Sequence, residues 1–170
     1  DNEQAIDAIY AAKGRSTTKP LALHVANPQQ AAPFVAELTQ CARLAMQRLW
    51  PGPVAIVVLR HADRYAHAAC GLSTISLRCP DHDLCRALLL EAGPLAATSA
   101  NVSGNSPFTG ESENLDALPQ ATLAVLAGPT PLRQESSIVD CTSDMPSIIR
   151  VGAVPAAVIM EQLGTPGRVQ

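Results

Sequence analysis

A chain of 170 residues, 47% hydrophobic and 16% charged, is long enough to bury roughly 70% of its unfolded surface in one domain, which excludes a disordered chain. A net charge of −3 and a pI near 5.7 exclude broad, non-specific polyanion binding and leave room only for a local basic groove. Five scattered cysteines (Cys41, Cys70, Cys79, Cys85 and Cys141) without a C-x-x-C pair exclude a disulfide framework and a zinc ribbon, and fit a reducing cytosol.

In chain order, Ile9 to Ala12 reads as the end of a helix, and Lys13-Gly14-Arg15 with Lys19 follows it. Lys13 and Lys19 are the only lysines in the sequence, so one loop carries two ammonium groups and a guanidinium fork, chemistry suited to phosphate or carboxylate. A solvated basic turn that ends a helix favourably explains the same residues. The apolar segment Leu21 to Ala26 predicts a strand, and the three- and four-residue steps from Ala32 to Leu49 predict a helix. Trp50-Pro51-Gly52-Pro53 then reads as a packing device, an indole closing that helix against a sheet.

Further strands are predicted at Val54 to Leu59, Thr74 to Arg78, Leu95 to Thr98, Leu123 to Leu126, Ser137 to Cys141 and Ile148 to Val151. Helices are predicted at Leu84 to Glu91 and Ala156 to Leu163. Irregular alternation of the two types implies an α/β domain with a mixed sheet. Loops rich in Pro, Gly, Ser and Asn fall at Val102 to Glu113 and Gly128 to Glu135. The row Thr98 to Gly104 concentrates hydroxyl and amide groups at a strand end, a site pattern that ordinary Asx-type turns also produce.

His24 lies inside an apolar strand, where histidine serves as either a hydrogen-bonded core residue or a ligand, and His82 is placed to cap the helix beginning near Asp83. Ser99 has no Gly-x-Ser-x-Gly elbow and no histidine after it, which removes a Ser-His-Asp hydrolase. A Walker-type phosphate loop is absent as well.

Taken in order, six segments resemble the YrdC family of threonylcarbamoyl-AMP synthases. They are Ile9 to Arg15 with Lys19-Pro20-Leu21, Leu49 to Pro53, Leu77 to His82, Gly93 to Gly104, Ser136 to Asp140, and Ile149 to Val154. The resemblance implies a single YrdC-like α/β domain over residues 1–170, a twisted mixed β-sheet flanked by helices whose concave face carries an anion site. The family's segment of type P-T-x-T-x-Y-G-L, with its preceding strand, is missing from these residues. Glu135 stands where the family often has glycine before its two hydroxyl residues, adding a carboxylate beside an anion site.

The implied activity is a nucleotidyltransferase reaction for tRNA threonylcarbamoyladenosine modification. L-threonine and bicarbonate form a carbamate, which attacks the α-phosphate of ATP to give L-threonylcarbamoyladenylate and pyrophosphate. By resemblance Lys13, Arg15, Ser99 and Asn101 are catalytic, with the two cations on phosphate or carbamate oxygens. Arg15, Lys19, Thr74, Ser99 and Arg150 would contact the nucleotide, while His24, Arg78 and Ser136 would hold threonine. Magnesium is expected with ATP, held by phosphate oxygens and water, since no cluster of carboxylates marks a cage. The expected setting is cytoplasmic and off the membrane, because no apolar run reaches the roughly 18 residues needed to span a bilayer; tRNA or tRNA-modification proteins are the expected partners. Two relatives compete with this reading: a non-catalytic RNA-binding one that lays the basic loop on a phosphate backbone, and a carbamoyltransferase-type domain.

Overall fold

The computed structural model describes residues 2–106, 108–110, 121–164 and 168–169. Its central element is a mixed sheet built from β1 (Ala22–His24), β2 (Val35–Glu37), β3 (Val54–Arg60), β4 (Thr74–Arg78), β5 (Leu95–Ala97), β6 (Ser137–Asp140), β7 (Ser147–Arg150) and β8 (Arg168–Val169). Strand order is β5-β1-β4-β3-β6-β7-β8, with β2 pairing off this path onto β3. The pairs β1/β4, β3/β6 and β7/β8 are parallel, and β1/β5, β2/β3, β3/β4 and β6/β7 are antiparallel.

Period-two alternation divides this sheet into an apolar face and a polar one. Leu23, Leu77, Ile56, Val139 and Ile148 are register neighbours across five strands and all are buried. Helices α3 (Gln40–Leu49) and α5 (Ala156–Leu163) bring Cys41, Ala42, Ala45, Met46, Ile159 and Leu163 into the same cluster. The alternate residues His24, Thr74, Ser76, Arg78, Val57 and Ile138 are only partly buried. That polar face carries the basic strand residues His24 and Arg78.

Helix α1 (Glu3–Lys13) packs separately, with Ile6 and Tyr10 against Leu21 and Ala68. Helix α2 (Pro28–Ala31) and α4 (Asp83–Ala92) complete the α-helices among the described residues. Asn2 caps α1 and Asn27 caps α2 through their side chains, as short polar residues do best. His82 caps α4 by accepting from the Cys85 amide at Nδ1, at 3.3 Å, as predicted for it.

Two predicted elements need correction. The stretch from Ala32 to Leu49 is not one helix: Ala32–Phe34 forms a 3-10 turn and β2 follows, with Val35 opposite Arg60 and Glu37 opposite Leu59. Pro33 cannot donate to a helical ladder, and Thr39 restarts the helix by accepting from the Ala42 amide at 3.0 Å. Leu123 to Leu126 forms no strand, and Leu123, Val125 and Leu126 are 78%, 59% and 58% exposed. The flanks of β6 are already taken by β3 and β7, which leaves this run no edge there to pair with. Within the loop read from Val102 to Glu113, residues 107 and 111–113 lie outside the described residues.

The Trp50–Pro53 turn is a packing device, as expected. Trp50 is buried, and its indole Nε1 donates to the Val54 carbonyl at 2.9 Å. The turn also reaches the polar face, since Gly52 accepts from Arg78 Nε at 3.0 Å while donating to Cys79 O.

A second clamp holds the start of β6. Ser137 Oγ donates to Val154 O at 2.6 Å and accepts from the amides of Gly152 and Val154. Gly152 lies so close that a Cβ there would sit 2.3 Å from Glu135 O and 2.6 Å from Ser136 C. These are backbone atoms that cannot rotate aside. Gly152→Ala is therefore expected to lower unfolding free energy by about 1–3 kcal/mol, the range of core overpacking, measurable by chemical denaturation; a change below about 0.5 kcal/mol would contradict so tight a clamp.

Candidate active site

Helix α1 ends at Gly14 in the left-handed conformation, φ 56°, a geometry open to glycine without steric cost. Its amide returns to Ala11 O and that of Arg15 to Tyr10 O, closing the helix and turning the chain outward. The Lys13 side chain consequently points inward and is 3% exposed. There its ammonium donates to Ser99 O, to Asn101 O at 2.6 Å and to Asn101 Oδ1 at 2.8 Å.

Those three acceptors match the three protons of an ammonium group. Ser99 Oγ donates to the same Asn101 Oδ1 at 2.6 Å, and Asn101 Nδ2 donates to Asn105 O at 2.6 Å. The Ser103 amide in turn donates to Lys13 O at 2.8 Å. Lys13, Ser99 and Asn101 thus form one connected unit. Burial, followed by the Arg15 charge, lowers the Lys13 pKa, while Glu135 works in the opposite direction.

Lys13, Arg15, Lys19, Ser99 and Asn101 line a single cavity of about 500 Å3, within the size range of small-molecule sites. Arg15 is steadied by Nε and Nη2 donating to Lys19 O and Pro20 O, at 3.3 and 3.2 Å. Tyr10 Oη, buried under the loop, also donates to Lys19 O at 2.9 Å. The Lys19 ammonium has no partner among the described residues. Sequence reasoning did not single out Asn105, Arg133 and Gln134, which share this cavity with Ser103, Gly104 and Glu135; the only signal for them was the loop composition around 102–113 and 128–135.

The other predicted residues do not line this cavity; His24, Thr74 and Arg78 lie on the polar face of the sheet. His24 is opposite Arg78 in the β1/β4 register. Burial and then the Arg78 charge hold the His24 pKa down to about 4, so the imidazole is neutral near pH 7. Burial likewise presses the Arg78 pKa downward, with Cys85 opposing and Arg150 adding to the effect. Arg150 wraps the segment before β6: Nε and Nη2 reach Ser136 O at 3.0 and 2.8 Å, Nη2 reaches Ser136 Oγ at 3.2 Å, and Nη1 reaches Glu135 Oε2 at 2.8 Å. Arg150 and Ser136 therefore meet the cavity through Glu135. Thr74 sits at the opposite end of β4 from Arg78, about 13 Å away along an extended strand.

Among the described residues no group of three His, Cys, Asp or Glu side chains converges in a metal-binding arrangement, and no helix is long and apolar enough to cross a membrane. The site combines fixed cations and neutral donors in one pocket, an arrangement suited to binding an oxyanion and stabilising charge that develops on it.

Comparison with known proteins gives a family match and close structural similarity. The family model described as telomere recombination, Sua5_yciO_yrdC, matches residues 1–152. Threonylcarbamoyl-AMP synthase of Bacillus subtilis is 34% identical over 166 residues, covering 96% of this chain and 48% of that protein. Its Pyrococcus abyssi counterpart is 31% identical over 165 residues, covering 96% and 48% respectively. The chain thus spans about half the length of these two relatives. The crystal structure of P. abyssi Sua5 complexed with L-threonine superposes with a TM-score of 0.87 at 28% identity, covering 99% of this chain and 50% of that one. Escherichia coli YciO shares the fold, with a TM-score of 0.74 at 17% identity, covering 94% and 78%.

Two outcomes test this geometry. Lys13→Met leaves Asn101 O without its donor and takes one of two donors from Ser99 O and Asn101 Oδ1, and unfolding free energy is expected to fall by about 3 kcal/mol in chemical denaturation; an unchanged value would mean the ammonium is not part of the fold. For His24, the unfolded state takes up its proton near the ordinary pKa of 6.5 and the folded state only near 4. Stability is then whole above pH 6.5 and declines as pH falls toward 4. His24→Asn should flatten the thermal midpoint across that window, and a variant profile parallel to wild type would refute the burial-driven shift.

Proposed function

The chain belongs to the Sua5_yciO_yrdC family, and from that membership together with the cavity we propose that it makes L-threonylcarbamoyladenylate and pyrophosphate from L-threonine, bicarbonate and ATP. The observation that carries this reading is the convergence of Lys13, Arg15, Lys19, Ser99 and Asn101, drawn from both sides of an 86-residue separation, on one cavity. Every reactant is an anion or becomes one. Bringing carboxylate, bicarbonate and triphosphate together costs Coulomb energy that fixed donors must offset.

In the proposed reaction the threonine amine attacks bicarbonate with loss of water to give a carbamate. A carbamate oxygen then attacks the α-phosphorus as the bond to the bridging oxygen breaks and pyrophosphate leaves. Arg15 and Lys19 hold the phosphates, since both line the pocket and the Lys19 ammonium and Arg15 Nη1 have no hydrogen-bond partner among the described residues. Lys13 acts differently in this scheme: with its protons already bound, it fixes the 99–101 backbone so that the Ser99 hydroxyl and the loop amides keep their positions. His24, Arg78 and Ser136 are assigned to threonine, with the Arg78 fork suited to its carboxylate. Thr74 and Arg150 are assigned to the nucleotide.

Magnesium fits this donor set only as an ion carried on phosphate oxygens and water, because Glu135 is the single carboxylate lining the cavity among the described residues. Its chemistry, when bound, is neutralisation of triphosphate charge. Five free thiols, those of Cys41, Cys79 and Cys141 buried, support a reducing cytoplasmic setting, where tRNA and the proteins that modify it are the proposed partners. A pocket with an inward-facing Lys13 favours a small-molecule site over an open basic surface on RNA.

The deciding experiment incubates the protein with ATP, magnesium, bicarbonate and L-threonine and detects threonylcarbamoyl-AMP by mass spectrometry, omitting each substrate in turn. Product is expected only when all are present. Arg15→Ala should lower its rate by about 100-fold or more, as loss of one charge-stabilising donor does. Product formed at the wild-type rate by Arg15→Ala would remove this residue from the mechanism, and no product from the wild type would overturn the assignment.

A further inference from the structure

Among cations, hydroxyls and amides, the described residues of the cavity wall include one carboxylate. Glu135 shares that wall with Lys13, Arg15 and Lys19, a placement that opposes binding of any bare anion. It is also held there. Its carbonyl accepts from Ala153 N at 2.9 Å, its backbone packs against Gly152, and its Oε2 accepts from Arg150 Nη1 at 2.8 Å. Arg150 further grips the neighbouring Ser136 carbonyl and hydroxyl. A guanidinium, two backbone contacts and the Ser137 clamp therefore fix a negative group in an anion pocket. Glu135 Oε1 has no partner among the described residues and is available to a ligand.

Such a carboxylate penalises a fully ionised polyphosphate, but much less a polyphosphate whose charge is partly cancelled by a divalent cation, with which it also interacts favourably. We propose that Glu135 is a specificity-determining residue, a charge filter that admits the divalent-metal complex of a nucleoside triphosphate in preference to the bare polyanion. The inference rests on the nucleotide reading above and adds to it which ionic form the site accepts. The Glu135 side chain is 44% exposed, so solvent screening limits the discrimination to about tenfold and makes it shrink with added salt.

The test is equilibrium binding of ATP by calorimetry, once with excess chelator and once with excess magnesium, for wild type, Glu135→Gln and Glu135→Asp. Glutamine keeps an oxygen for Arg150 Nη1 and removes only the charge. It is expected to tighten binding of metal-free ATP about tenfold while leaving the magnesium complex unchanged or weaker, so that the preference for the complex collapses. Aspartate should retain the wild-type preference. An unchanged metal preference in Glu135→Gln would overturn the filter while leaving the nucleotide site standing. A wild-type protein that binds ATP in neither form would overturn the nucleotide reading, and the filter with it.

Discussion

The buried ammonium of Lys13 is the contact around which the rest of the site is arranged. A charge taken out of water is costly unless every proton finds an oxygen, and here two main-chain carbonyls and one side-chain amide supply all three. The same bonds fix the loop that contributes Ser99, Asn101 and Ser103 to the cavity. The cation that would intuitively be assigned to an incoming phosphate is thus already occupied, and it works by holding neutral donors in place. Arg15 and Lys19, on the turn that Gly14 makes possible, remain as the cations with donors to offer.

A second layer of organisation lies on the polar face of the sheet. Arg78 is held by the Gly52 carbonyl of the Trp50 turn, and Arg150 by the 135–136 segment. These two guanidinium groups repel each other closely enough for Arg150 to depress the Arg78 pKa. Each is anchored by backbone oxygens, which lets the two cations stand near one another. The packing turn and the β6 clamp are therefore part of how the site is built, although neither supplies a reacting group.

Much of this was readable from the sequence where local chemistry decides the outcome. The strands from Val54 and Thr74, helix α5 and the capping role of His82 all follow from apolar spacing or from a polar residue at a helix start. The scarcity of lysine singled out the loop that lines the cavity. Legibility failed where a distant partner decides. Val35 to Glu37 has helical spacing but pairs with β3, and Leu123 to Leu126 has strand composition but lies exposed. That Lys13 turns inward to Asn101 and that Arg150 reaches Glu135 are facts of tertiary placement that no spacing along the chain encodes. Glu135 was visible as an added charge, yet its fixation by Gly152 and Arg150 was not.

The contact between Lys13 and Asn101 spans 88 positions of sequence, and this separation governs how the pocket can come into existence. Closing so long a loop is entropically unfavourable until the intervening sheet is in place. Neither helix α1 nor the 99–105 loop supplies the cavity by itself, since residues of both line it. The cavity is a property of the assembled domain, and local opening of the 99–105 loop would expose the Lys13 charge and dismantle the cavity in the same event.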